Sequence, residues 1–161
     1  MKAILLILLC CFAISRGSSR QFNWDSYKPA SMDSIRILHA DLLHADSAVA
    51  GTDVRISSKE FKYRILAENC DSISTMRDEI KRVCDFWLTG IMRRPNLKDS
   101  YLHEVCVKSG DNYYWLATQE PLIAPLKKEV PKGSHFYVYV ILIGSIYDEL
   151  IFSMNEFKTN L

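Results

Sequence analysis

The stretch from His135 to Ile143 constrains this chain more than any other. Phe136, Val138, Val140 and Leu142 occupy one set of alternate positions, and Tyr137, Tyr139, Ile141 and Ile143 occupy the other. Successive side chains of a strand point to opposite faces, so this strand needs cover on both. A solvent-facing edge position is excluded, and the fold must place packing layers on either side of it.

The segments around it have shorter periods of their own. Lys59 to Ala67 alternates, with Phe61, Tyr63 and Ile65 on one side and Lys62 and Arg64 on the other, as in a strand with one buried face. Asp53 to Ile56 reads as a short strand ended by a turn at Ser57-Ser58. Tyr101–Lys108 and Tyr113–Gln119 flank Ser109-Gly110-Asp111-Asn112, a hairpin signature. Leu150 to Phe157 forms a last strand after a turn at Gly144 to Asp148. Glu120 to Pro125 holds two prolines and reads as a connection, and Val130-Pro131-Lys132-Gly133 reads as a turn.

Two helices are expected. Ser31 or Asp33 caps one that starts near Met32, with Ile35, Leu38, Leu42 and Ala45 on a helical stripe. The second runs from about Ser74 to Met92, with Ile73, Met76, Ile80, Val83, Cys84, Trp87, Leu88 and Ile91 on one stripe. Thr75 and Asp78 have capping-box spacing, and Pro95 forbids continuation. The expected class is therefore α+β: a strongly bent antiparallel sheet of about five to six strands, packed on the long helix. The alternative is a small partly closed β-barrel with flanking helices.

The domain layout follows from the first residues. Lys2 precedes an apolar run from Ala3 to Ile14, and small and polar residues follow from Ser15 to Ser19. That is the layout of a secretory signal peptide, and the run is too short to span a bilayer. Residues 1–19 are thus read as a leader, 20–30 as an N-terminal arm carrying Phe22, Trp24 and Tyr27, and 31–161 as one α+β domain. The expected location is periplasmic or extracellular, with no membrane span after processing.

Twenty Lys and Arg nearly balance nineteen Asp and Glu, which argues against a nucleic-acid binder held by phosphate contacts. Cys70, Cys84 and Cys106 remain after the leader; three cysteines permit at most one internal bridge, and spacing leaves all three pairings open. No spacing is CxxC, so a zinc or dithiol motif is not indicated.

Candidate chemistry is sparse. His39-Ala40-Asp41 recurs as His44-Ala45-Asp46, but five helical positions turn two histidines about 140° apart, so no metal is expected and a solvated helix face is. His103 and Cys106 fall on opposite faces of a strand, which disfavours a nucleophile–base dyad. No signature of a hydrolase, zinc protease or nucleotide site is present, and no cofactor is expected. The aromatic surplus is more informative. Tyr113 and Trp115 share one strand face, and His135, Tyr137 and Tyr139 share another. These five are the candidate ligand-binding residues, for a small apolar ligand, a glycan or a peptide, in a non-catalytic exported binding domain. The alternatives are a small exported enzyme converging His103, Cys106, Glu120 and His135, and a structural component of an envelope or secreted assembly. The number of copies in the working particle is left open.

Overall fold

The computed structural model describes residues 22–43 and 54–159; the leader and the second His-Ala-Asp lie outside them. A short 3₁₀ turn, Trp24–Ser26, leads into β1 (Lys28–Pro29). Then follow α1 (Met32–Leu38), α2 (Ala40–Leu43), β2 (Val54–Thr75) and α3 (Asp78–Phe86). A π-helical turn, Trp87–Ile91, and a 3₁₀ stretch, Pro95–Ser100, precede β3 (Tyr101–Ser109) and β4 (Asn112–Gln119). The chain closes with α4 (Glu120–Glu129), β5 (His135–Ile146) and β6 (Glu149–Lys158).

The six strands make one mixed sheet in the order β1-β2-β3-β4-β6-β5, and β2 also pairs with β5. The pairing therefore runs in a ring. The 22-residue β2 makes this possible: its first part, Val54 to Glu68, pairs antiparallel with β5, and Glu68 to Thr75 pairs antiparallel with β3. The sheet is not purely antiparallel. β1 runs parallel to β2, and β4 parallel to β6 at Leu116↔Phe152 to Thr118↔Met154.

The doubly apolar strand behaves as its pattern requires. β5 lies between β2 and β6. Phe136, Val138, Val140 and Leu142 join one buried cluster with Ile65, Val105, Leu116 and Phe152. Tyr139, Ile141 and Ile143 join a second, with Ile80, Val83, Cys84, Trp87 and Leu88. α1 and α4 add Met32, Ile35, Ile123 and Leu126 to the first.

Four sequence expectations are corrected. Asp53 lies outside the described residues; Val54 to Ile56 of the short strand and the turn at Ser57-Ser58 belong to β2, which takes up the turn in a register shift between Ile56 and Phe61. The long helix starts at Asp78, not Ser74, and has no side-chain cap. Ser74 and Thr75 stay in the ladder opposite Glu104 and His103, and Arg77 N–H donates to Glu104 Oε2 at 2.9 Å. Strand pairing and a buried carboxylate thus override the capping-box pattern. The proline segment is a helix: Pro121 stands in its first turn, where the missing N–H costs nothing, and burial of Ile123 and Leu126 offsets Pro125. β5 continues through Ile146, and the following turn is taken by Tyr147 at φ 50°.

His39 is not on a solvated face. It sits between α1 and α2, only 5% exposed. Its Nε2 bonds Tyr63 Oη at 2.7 Å, and its ring lies 4.5 Å from that of Phe61. Burial holds its pKa below the ordinary value, against a smaller opposing pull from Asp41. The unfolded chain therefore binds this proton more readily, so the associated stability is complete above about pH 6.5 and is lost as pH falls. The urea midpoint is expected to drop between pH 7.5 and 5.5, and His39→Gln is expected to flatten that drop. Parallel pH profiles for the two proteins would contradict this.

Candidate functional site

The arm is where the aromatic surplus meets the sheet. Ring centroids of Phe22, Trp24 and Tyr27 lie 5.7, 4.6 and 5.4 Å from that of Tyr139, all close to edge-on. Phe22 also stacks on Tyr27 at 5.2 Å. Such pairs contribute about 0.5–1.5 kcal/mol each beyond burial. Backbone pairing of β1 with Tyr63 and Arg64 fixes the approach, and Ala30 N–H donates to the Arg64 carbonyl at 3.1 Å.

Beneath the arm is a cavity of about 210 Å³. Its floor comes from the sheet, through Lys62, Tyr101, Gln119, Ile141 and Asn155. One wall is the arm, with Phe22 and Tyr27; the other is the stretch after α3, with Trp87, Leu88 and Arg94. That stretch leaves the helical path because the chain passes into a π turn at Trp87. Arg94 N–H then bonds the Leu88 carbonyl at 2.7 Å.

A hydrogen-bond chain crosses the floor. Gln119 Nε2 donates to Tyr101 Oη at 2.9 Å, and Tyr101 Oη–H donates to Ser153 Oγ at 2.8 Å. Ser153 Oγ donates to Asn155 Oδ1 at 3.1 Å, and Asn155 Nδ2 donates to Tyr27 Oη at 3.0 Å. Burial raises the pKa of Tyr27 and of Tyr101, so both phenols remain protonated at neutral pH. The network orients its amides while leaving capacity: the Gln119 side-chain carbonyl has no partner among the described residues.

Two further groups at this cavity lack partners. Trp87 is 3% exposed, and its Nε1–H meets no acceptor among the described residues. Arg94 is exposed and forms no ion pair among them, although its charge is felt at Tyr101. Lys62, by contrast, is held by Glu60 at 2.6 Å.

The five aromatic and histidine residues singled out from sequence do not make one surface. β6 lies between β4 and β5 in the sheet. Tyr113, 65% exposed, lines a separate cleft of about 460 Å³ with Trp115, Arg36 and Glu149. His135 is exposed at the start of β5 opposite Glu68, and the Tyr137 ring lies 5.1 Å from the Arg64 guanidinium carbon. Tyr139 is buried as the anchor on which the arm docks. Tyr101, Gln119, Asn155, Trp87 and Arg94 were not singled out. One signal was present: Ser153 and Asn155 put polar groups on alternate positions after the apolar run Leu150 to Phe152.

The residues of the enzyme alternative are only partly brought together. His103 Nε2 contacts the Glu120 carboxylate, but no hydrogen bond or ion pair among the described residues joins either to Cys106 or His135. Among the described residues, no three His, Cys, Asp or Glu side chains group as a metal site would require. No described helix is long and apolar enough to cross a membrane. No protein-family model, no curated protein and no solved structure matches this chain.

Proposed function

We propose that this chain is a non-catalytic binding domain, exported after loss of its leader, that holds a small ring-shaped ligand in the cavity beneath the N-terminal arm. β2 to β6 serve as a small closed barrel, and the arm and the stretch after α3 form the rim of the site. One observation carries the reading: a half-open cavity with aromatic walls, an ordered amide and hydroxyl floor, and an unpaired guanidinium beside it. Sites of this kind combine apolar walls with a few placed polar groups.

Size and chemistry narrow the ligand. A cavity of about 150 Å³ accepts benzene, so about 210 Å³ suits a single ring with substituents. Amide and phenol groups match ring hydroxyls, aromatic walls match the ring's C–H faces, and Arg94 matches a carboxylate. The reading is therefore an acidic sugar unit, the terminus of a glycan. Titration calorimetry with glucuronate, and with glucose as the uncharged control, tests it. Glucuronate is expected to bind more tightly than glucose, and Arg94→Ala to weaken glucuronate about tenfold while leaving glucose unchanged. Trp115→Ala, in the other cleft, is expected to change neither. No heat at millimolar sugar, or equal affinities for wild type and Arg94→Ala, would contradict the reading.

A further inference from the structure

We propose that Cys70 and Cys106 form a disulfide across β2 and β3, and that Cys84 stays a thiol. This stands apart from the ligand reading. On one side of the β2 bulge the register pairs Glu68 with Lys108 and Asn69 with Val107. Carried one step further, it sets Cys70 directly opposite Cys106. Beyond the bulge the register has shifted, so that Ser72 faces Cys106 instead. The turn between is made by Asp71, at φ 54°, with its N–H held by Asn69 Oδ1 at 2.9 Å. Directly opposed strand residues have Cβ atoms about 4.5–5.5 Å apart, just beyond the spacing that a disulfide needs.

The side chains agree with the backbone. Cys70 and Cys106 are near enough for one thiol to perturb the other, and the Cys70 thiol points to the Glu68 carbonyl at 3.9 Å. Cys70 is half-buried and open to a reagent, whereas Cys106 is buried behind it. Cys84 belongs to α3 and packs with Val83, Trp87 and Leu88 in the other cluster. Burial pushes its thiol up to about 12, so it is neither near a partner nor reactive.

The oxidant required is a small disulfide such as oxidised glutathione. The Cys70 thiolate attacks one of its sulfurs, forming the mixed disulfide and releasing one glutathione thiolate. The Cys106 thiolate then attacks the Cys70 sulfur and expels the second glutathione. The two protein thiols give up two electrons, one glutathione disulfide accepts them, and the two thiol protons end on the two glutathiones. Burial, with the neighbouring Cys70 thiol, pushes Cys106 up to about 12, so the second step is slow near neutrality and quickens as pH rises. The bond would pin the bulge that positions Asn69, whose Nδ2 holds the Val130 carbonyl at 2.6 Å.

The folded protein, incubated with oxidised glutathione at pH 8.5, is trapped with N-ethylmaleimide after unfolding, digested and read by mass spectrometry. The expected result is one cross-link joining the peptides of Cys70 and Cys106, with maleimide on Cys84 and on neither Cys70 nor Cys106. Cys70→Ser is expected to abolish the cross-link, and the oxidised wild type to melt roughly 10 °C above the reduced protein. Maleimide on both Cys70 and Cys106, a lasting glutathione adduct on Cys70, or any cross-link through Cys84 would overturn the proposal.

Discussion

Gly144→Ala is expected to destabilise the chain by about 3 kcal/mol, the largest effect of any single added methyl group here. A Cβ at Gly144 would lie 2.1 Å from the Arg55 carbonyl oxygen and 3.2 Å from Ile56 Cα. Both obstacles are backbone, so no rotamer relieves them. Gly144 pairs with Ile56 where β5 meets the first part of β2, beside the register shift that begins after Ile56. Any relief must push these strands apart at the pairing that completes the ring. Gly90→Ala is the control: its new Cβ would make only ordinary contact, 3.5 Å from the Phe86 ring. Urea unfolding is expected to separate the two variants by several kcal/mol. Equal midpoints would mean that β2 and β5 do not approach as closely as described.

Arg77→Met is expected to cost about 3 kcal/mol. Glu104 is 1% exposed, and its carboxylate is satisfied almost wholly by Arg77. Nη2 donates to Oε1 at 2.8 Å, Nε reaches both oxygens, and the Arg77 backbone N–H donates to Oε2. Removing one partner of a buried pair typically costs about 3–5 kcal/mol, because a buried charge is left uncompensated. The lower end applies since the Arg77 side chain is 41% exposed and water can partly replace it. The other arm of the guanidinium holds Glu149 at 2.9 Å. That carboxylate is 44% exposed, so Glu149→Gln is expected to cost under about 1 kcal/mol. A double variant, Arg77→Met with Glu104→Leu, is expected to recover much of the loss. If Arg77→Met cost no more than Glu149→Gln, the clasp between α3, β3 and β6 would be ornamental.

The parts of this fold that sequence made legible are those with strong local periods. The two-faced run of β5 demanded cover on both sides and has it. The hairpin from Tyr101 to Gln119 was announced by Ser109-Gly110-Asp111-Asn112, and the structure turns there, with Gly110 at φ 62°. What local pattern hid was decided by partners distant in the chain. β2 reads as two strands and a turn because Ser57 and Ser58 look like punctuation; β5, some eighty residues later, pairs the segments on both sides of them and leaves the two serines in the irregularity between. Thr75 and Asp78 look like a cap because nothing local announces Glu104, whose carboxylate takes the Arg77 N–H instead.

The site was obscured for the same reason. Tyr27, Tyr101, Gln119 and Asn155 lie on four separate segments and become one hydrogen-bonded floor only when the ring pairs β3, β4 and β6 in order. Counting aromatics located Tyr139. It anchors the arm, and the cavity lies beside it, under residues whose individual types are ordinary. Tyr113 and Trp115 drew notice by composition, yet they belong to another cleft.

The three tryptophans supply the most direct test, since each reports on a different place. Trp24 is on the arm, Trp87 lines the cavity, and Trp115 lines the other cleft. In a proton–nitrogen correlation spectrum each indole N–H gives its own resonance. On titration with glucuronate the account predicts that the Trp87 resonance moves most and saturates, that Trp24 follows it, and that Trp115 stays fixed. A spectrum in which Trp115 moves and Trp87 does not would place binding in the other cleft and contradict the account.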